Sequence, residues 1–276
     1  MKIFRSYFWI IAVILSATFI APEVALAKKR KSGGWVSARA AIFSNSTAAK
    51  RYYGKNVNMR VPPASTTKVM TALLVLERLP LDQVVTVSPR VVGIQPTIIN
   101  LRPGEKFTVR DLLFALLMNS ANDASVVLAE AVAGSEWEFV QLMNRRAKEL
   151  GAKNTKFVNS NGLPSRYSQY TTPYDMYLMF RETIKNDFFR KTIKLRYHQI
   201  TSLGGRQVLL KSHNKILLTN WKQKIYGKTG YTRAAQSCFV GYIMKGNDIC
   251  IIAVFGCSKR WQDIKYIVER YGGIDL

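Results

Sequence analysis

The chain has 276 residues, enough for one large or two small domains with a real hydrophobic core. Hydrophobic residues make up 48% of it, which excludes a chain disordered by composition. Forty-one Lys and Arg face 17 Asp and Glu, a net charge of +24, so its working environment is anionic: nucleic acid, anionic lipid or a cell-wall polymer.

The N-terminus narrows these choices. Lys2 and Arg5 form a charged start, Tyr7 to Ala21 is apolar apart from Ser16 and Thr18, and Ala25-Leu26-Ala27 is a small-x-small site. This reads as a secretory signal peptide over residues 1–27, with an apolar run shorter than the ~20 residues a spanning helix needs. An uncleaved N-terminal tether is the alternative. The expected location is outside the cytoplasm, periplasmic or otherwise extracytoplasmic, and nucleic acid is excluded as a partner. Residues 28–35 open with Lys28-Lys29-Arg30-Lys31 and read as a basic linker; cleavage after Ala27 lowers the net charge by only one unit.

A domain is expected over residues 36–276. Ser37 to Ser44 reads as a strand, and Arg51-Tyr52-Tyr53-Gly54 begins the return. Val69, Met70, Leu73, Leu74 and Leu76 mark a buried helix with Ser65 in its first turn and Pro80 as its stop. Pro89, Pro96 and Pro103-Gly104 break residues 81–108 into short pieces. Thr108-Val109-Arg110-Asp111 starts a helix with an acidic residue at its third position, and Leu112 to Met118 is wholly apolar. It leads to Asn119-Ser120-Ala121-Asn122, after which a second apolar helix runs from Asp123 to Val132. Ser135-Glu136-Trp137-Glu138 is a capping box, and Thr172-Pro173-Tyr174-Asp175 opens a further helix with proline at its first position.

From Lys194 onward strands return: Lys194 to Gln199 and Arg206 to Leu210, then Lys228-Thr229-Gly230, then a hairpin of Gln236–Met244 and Ile249–Phe255 around Lys245-Gly246-Asn247-Asp248. A last helix spans Trp261 to Tyr271. Early strands, late strands and terminal helix make one antiparallel sheet with flanking helices, and residues from about 81 to 190 form an inserted all-helical subdomain: an α/β (α+β) fold. The site is expected in the cleft between the two parts. Cys238, Cys250 and Cys257 are too few for a disulfide scaffold and read as buried, with a strand-to-strand disulfide left open.

Three short motifs carry chemistry. Ser65 and Lys68 are three residues apart on a helix and share a face. A hydroxyl beside an amine becomes a nucleophile if burial and a second cation keep the amine neutral. Ser120 and Asn122 are polar residues wedged between two buried helices, where they need partners. Lys228-Thr229-Gly230 supplies a cation, a hydroxyl and a residue that allows close backbone approach. No Ser-His-Asp arrangement or metal-ligand cluster is visible, and no cofactor or metal is expected.

Ser-x-x-Lys, Ser-x-Asn and Lys-Thr-Gly in that order are the motif set of penicillin-binding proteins and class A β-lactamases. On PPASTTKVMTALLVLE, LLFALLMNSANDASVVLAE and YGKTGYT the chain resembles the D-alanyl-D-alanine carboxypeptidases, the low-molecular-mass penicillin-binding proteins, from about Val36 to Tyr271. The resemblance implies a β-lactamase/transpeptidase-like layout and a serine peptidase acting on the peptidoglycan stem peptide, with β-lactam antibiotics as covalent inhibitors. It implies Ser65 as nucleophile, Lys68 as base, Ser120 as proton relay, and Asn122 as holder of Lys68 and the substrate amide. Lys228 and Thr229 would bind the substrate carboxylate beside Gly230, and the N–H groups of Ser65 and Tyr231 would form an oxyanion hole. Arg233 is a candidate second anion contact.

Two departures stand out. Asn161 occupies a position where such enzymes often carry His, and Ala234-Ala235 replaces a common Ala-Gly. The few residues after Tyr271 hold neither the β-rich domain nor the amphipathic anchor of many such enzymes, and neither is expected. The alternatives are a serine β-lactamase of the same fold and a catalytically silent, basic wall-binding protein. None of the glutamates between the second and third motifs is followed by Leu-Asn at the offset a class A β-lactamase uses, which favours the carboxypeptidase.

Overall fold

The computed structural model describes residues 35–48 and 50–276; the expected signal peptide, and the linker up to Gly34, lie outside the described residues. In chain order the elements are β1 (Ala40–Asn45), β2 (Arg51–Lys55), a 3-10 turn at Ala64–Thr67, α1 (Lys68–Arg78), β3 (Val84–Thr86), β4 (Lys106–Thr108), α2 (Val109–Phe114), a π turn at Ala115–Asn119, α3 (Asn122–Ala133), α4 (Glu136–Glu149), α5 (Pro173–Thr183), α6 (Asp187–Thr192), β5 (Tyr197–Thr201), β6 (Gln207–Lys211), β7 (Tyr226–Thr232), β8 (Gln236–Lys245), β9 (Asp248–Cys257) and α7 (Arg260–Ile267).

Five strands make one antiparallel sheet in the order β2-β1-β9-β8-β7. Its central strands are buried on both faces, which explains why β8 and β9 read as nearly unbroken apolar runs. Side chains alternate across the sheet. Ile42, Val240, Ala253 and Phe255 join α1 and α5 in the larger core, while Phe43, Phe239, Ile252 and Val254 pack with Ile264 and Ile267 of α7. Lys245 pairs with Asp248 across a two-residue turn whose first central residue, Gly246, has φ +59°, the glycine position of a type II′ hairpin.

The helical layer begins and ends where its caps dictate. Thr108, Ser135 and Thr172 each accept a hydrogen bond from the backbone N–H three residues on, at 3.1, 3.1 and 3.0 Å. Two expectations need correction. β5 and β6 do not join the main sheet; they form a separate hairpin whose inner face, His198 with Leu210 and Ile200 with Val208, packs towards the helical layer. The insertion is not wholly helical, because β3 and β4 pair within it. Cys238, Cys250 and Cys257 are buried and free. No helix of the described residues is long and apolar enough to cross a membrane.

Candidate active site

Ser65 sits one turn earlier than expected, in the 3-10 turn that runs directly into α1 rather than in the α-helix itself. Ala64 before it adopts φ +46°, a left-handed conformation that costs a non-glycine residue about 1 kcal/mol or more. The turn is wedged between two glycines. Gly162 (φ +87°) lies so close that a Cβ there would stand 1.8 Å from the Ala64 carbonyl oxygen. A Cβ on Gly230 of β7 would stand 3.1 and 3.2 Å from the backbone nitrogens of Ser65 and Thr66. The loop can approach this closely only with bare backbone at 162, and a side chain at 230 would press on the serine turn.

Lys68 follows one turn later and is completely buried. Its Nζ lies 3.2 Å from Ser65 Oγ, 2.6 Å from Asn122 Oδ1 and 2.8 Å from the Asn161 carbonyl oxygen. Burial, reinforced by the Lys228 ammonium, holds its pKa well below the usual lysine value. Two of its three partners can only accept. A neutral amine therefore spends both N–H groups on Asn122 and Asn161 and turns its lone pair to the Ser65 hydroxyl.

The second motif is carried by a break between helices. The π turn ends at Ser120 in a left-handed conformation (φ 60°, ψ 30°), and α3 starts at Asn122. Asn122 is held on two sides: its Nδ2 donates to the Gln95 carbonyl at 2.8 Å and its backbone N–H to that of Thr97 at 2.7 Å. Asp123 next to it accepts the N–H groups of Ile99 and Leu101, tying the same loop to the start of α3.

Lys228 of β7 is also buried, and its Nζ donates to Ser120 Oγ at 2.8 Å and to the Thr229 carbonyl at 3.0 Å. Burial, with Arg260 nearby, pushes its pKa down to about 7. Ser65, Lys68 and Asn122 thus form one hydrogen-bonded group and Ser120 and Lys228 a second, and Thr229 and Gly230 follow on the same strand. Tyr231 is exposed beyond them. Arg233 is exposed in the β7–β8 turn directly after the strand that carries Lys228 and Thr229, and its carbonyl accepts a hydrogen bond from Gln236 Nε2 at 2.7 Å.

Three contributors had no sequence signature. The Asn161 carbonyl acts through backbone, and its loop is held by Glu136 Oε1, which accepts from Ser160 N (2.9 Å) and Oγ (2.6 Å). Arg260 at the start of α7 donates from Nη1 to the carbonyls of Gly230 (3.2 Å) and Cys238 (2.8 Å), pinning the paired residues of β7 and β8. His213 lies near Lys228; although it is exposed at the surface, desolvation and then the charge of Lys228 push its pKa down.

An antiparallel sheet with a helical layer and, between them, a partly accessible serine beside buried Lys, Ser, Asn and Lys side chains is the arrangement of the penicillin-recognising serine acyltransferases. The crystal structure of a D-alanyl-D-alanine carboxypeptidase from Mycobacterium tuberculosis superposes with TM-score 0.81 at 28% identity, covering 89% of this chain and 94% of that one. The Bacillus subtilis D-alanyl-D-alanine carboxypeptidase DacF is 36% identical over 83% of this chain and 60% of its own length. The Mycobacterium tuberculosis D-alanyl-D-alanine carboxypeptidase DacB2 is 33% identical over 75% and 71%. A sequence model of the D-alanyl-D-alanine carboxypeptidase family matches residues 27–259. The chain belongs to the D-alanyl-D-alanine carboxypeptidase family.

Proposed function

We propose that the protein is a serine-type D-Ala-D-Ala carboxypeptidase that removes the terminal D-Ala from peptidoglycan stem peptides through an acyl-enzyme on Ser65. The observation that carries this reading is the buried Lys68 amine, with two acceptor-only partners and its remaining direction on Ser65 Oγ. Lys68 takes the hydroxyl proton as Oγ attacks the carbonyl carbon of the penultimate D-Ala. The backbone N–H groups of Ser65 and Tyr231 receive the developing oxyanion. The Lys228–Ser120 pair delivers a proton to the departing amine, and free D-Ala leaves. Lys228 and Thr229 attract the substrate carboxylate. Water then attacks the ester and restores Ser65.

β-Lactams would acylate the same serine. Their adducts should persist, since none of the glutamates between Ser120 and Lys228 is followed by Leu-Asn at the offset of the class A deacylating base. The leader supports export with cleavage after Ala27, and the net charge of +24 supports retention on an anionic surface of the cell envelope.

A D-Ala-D-Ala pentapeptide and a fluorescent penicillin test the reading together. Free D-Ala and a slowly decaying penicillin adduct on Ser65 are expected. Rapid penicillin turnover without D-Ala release would make the protein a β-lactamase; folded protein that neither labels nor releases D-Ala would leave only a binding role.

A further inference from the structure

The basic and acidic residues are unevenly placed along the sequence. Residues 188–247 contain twelve Lys and Arg, and every one of the 17 acidic residues lies outside that stretch. The β5–β6 hairpin stands within it. Its inner face is packed, but its outer face pairs Tyr197 with Lys211 and Gln199 with Leu209 and is covered by nothing among the described residues. Tyr197 is 52% and Leu209 69% exposed. Lys211 continues this face into a hollow that also includes Lys215 and Leu218, the latter 48% exposed. Neither Lys211 nor Lys215 forms an ion pair among the described residues.

We propose that this outer face, Tyr197, Leu209, Lys211, Lys215 and Leu218, docks the protein on an anionic lipid surface. The inference narrows the anionic-surface reading above to one face and one occupant. Arg190, Arg206 and Lys222 of this stretch are ion-paired with Asp187, Glu105 and Asp275, whereas Lys211 and Lys215 are left without an acidic partner among the described residues and are complementary to anionic headgroups, each worth a distinct increment of attraction. The lysines alone would suit a hydrated polyanion equally well. The apolar side chains decide between them: exposed leucines gain nothing from a hydrated polymer, whereas Leu209 and Leu218 reach the acyl boundary and Tyr197 suits the headgroup layer. The hollow also includes Asn119, the residue before Ser120, and His213, so docking sets the catalytic cleft beside the lipid surface.

The test uses the full chain with an environment-sensitive dye on Leu209→Cys, since the three native cysteines are buried. Vesicles of phosphatidylglycerol and phosphatidylcholine should shift the dye to the blue. Phosphatidylcholine vesicles and soluble polyphosphate should not, nor should anionic vesicles shift the same dye on Trp137→Cys in α4. Replacing Lys211 and Lys215 by Gln should weaken vesicle affinity about fivefold per lysine. An unshifted dye at 209 on anionic vesicles overturns the proposal, as does an equal shift with polyphosphate or at 137. Penicillin labelling of each variant reports folding. If the unaltered chain does not label either, the catalytic reading fails while the dye still decides the docking.

Discussion

Gly162 approaches Ala64 more closely than any side chain would permit: a Cβ at 162 would lie 1.8 Å from the Ala64 carbonyl oxygen. The loop that offers the Asn161 carbonyl to Lys68 therefore also braces the turn that aims Ser65. Gly162→Ala adds both that clash and the cost of a side chain at φ +87°. A loss of roughly 2–4 kcal/mol in stability should come with penicillin acylation at least tenfold slower. Thermal unfolding and stopped-flow labelling check both; a variant that labels at the original rate would show that the turn does not need this brace.

Ser120→Ala removes the side-chain acceptor of Lys228 and leaves it the Thr229 carbonyl. Stability should change by only about 1 kcal/mol, whereas loss of a proton relay should slow acylation by ~10²–10⁴. Equal D-Ala release from Ser120→Ala and the unaltered chain would remove Ser120 from the chemistry.

The buried amines give a pH dependence with a definite sign. Lys68 lies well below its ordinary pKa and Lys228 at about 7. Both folded values are below the unfolded ones, so the folded chain binds fewer protons in that window and stability rises with pH. Between pH 7 and 9 Lys228 by itself should contribute roughly 1 kcal/mol per pH unit, and Lys228→Met should remove that part of the slope and leave the part due to Lys68. Acylation needs neutral Lys68 and should reach a plateau by mildly basic pH. A rate still climbing at pH ~10 would mean an ordinary lysine.

Arg260 acts at one remove, through the carbonyls of Gly230 and Cys238. Arg260→Met should loosen β7 against the Ser65 turn and cost about 1–3 kcal/mol of transition-state stabilisation. The loss should appear in KM for the peptide as well as in acylation, with partial rescue in Arg260→Lys. A variant altered in thermal stability alone would make the arginine purely structural.

These residues differ in how legible they were. Ser65, Lys68, Ser120, Asn122 and Lys228 lie at fixed spacings in three short motifs whose order resembles one enzyme group, and the caps at Thr108, Ser135 and Thr172 are local patterns, so both were visible in the sequence. Asn161 drew notice only for the His it replaces, because a backbone carbonyl has no side-chain signature. Arg260 is a single arginine at the start of a helix, and its importance arises from a contact with a strand 30 residues earlier. The β5–β6 hairpin was readable as two strands, but whether a hairpin joins the main sheet depends on tertiary packing.

The sheet joins β1 to β9, so Ala40 pairs with Phe255 while the intervening chain builds the helical layer. Such pairing of the two ends of the domain requires closure of a very long loop before it yields any contact, and topologies of this kind fold slowly. The serine turn and Lys228 meet only when β7, β8 and β9 are in place. A ribosome that has released the first two hundred residues has therefore released a chain with Ser65 and Lys68 but without the strands that carry Lys228; the cluster assembles late and all at once.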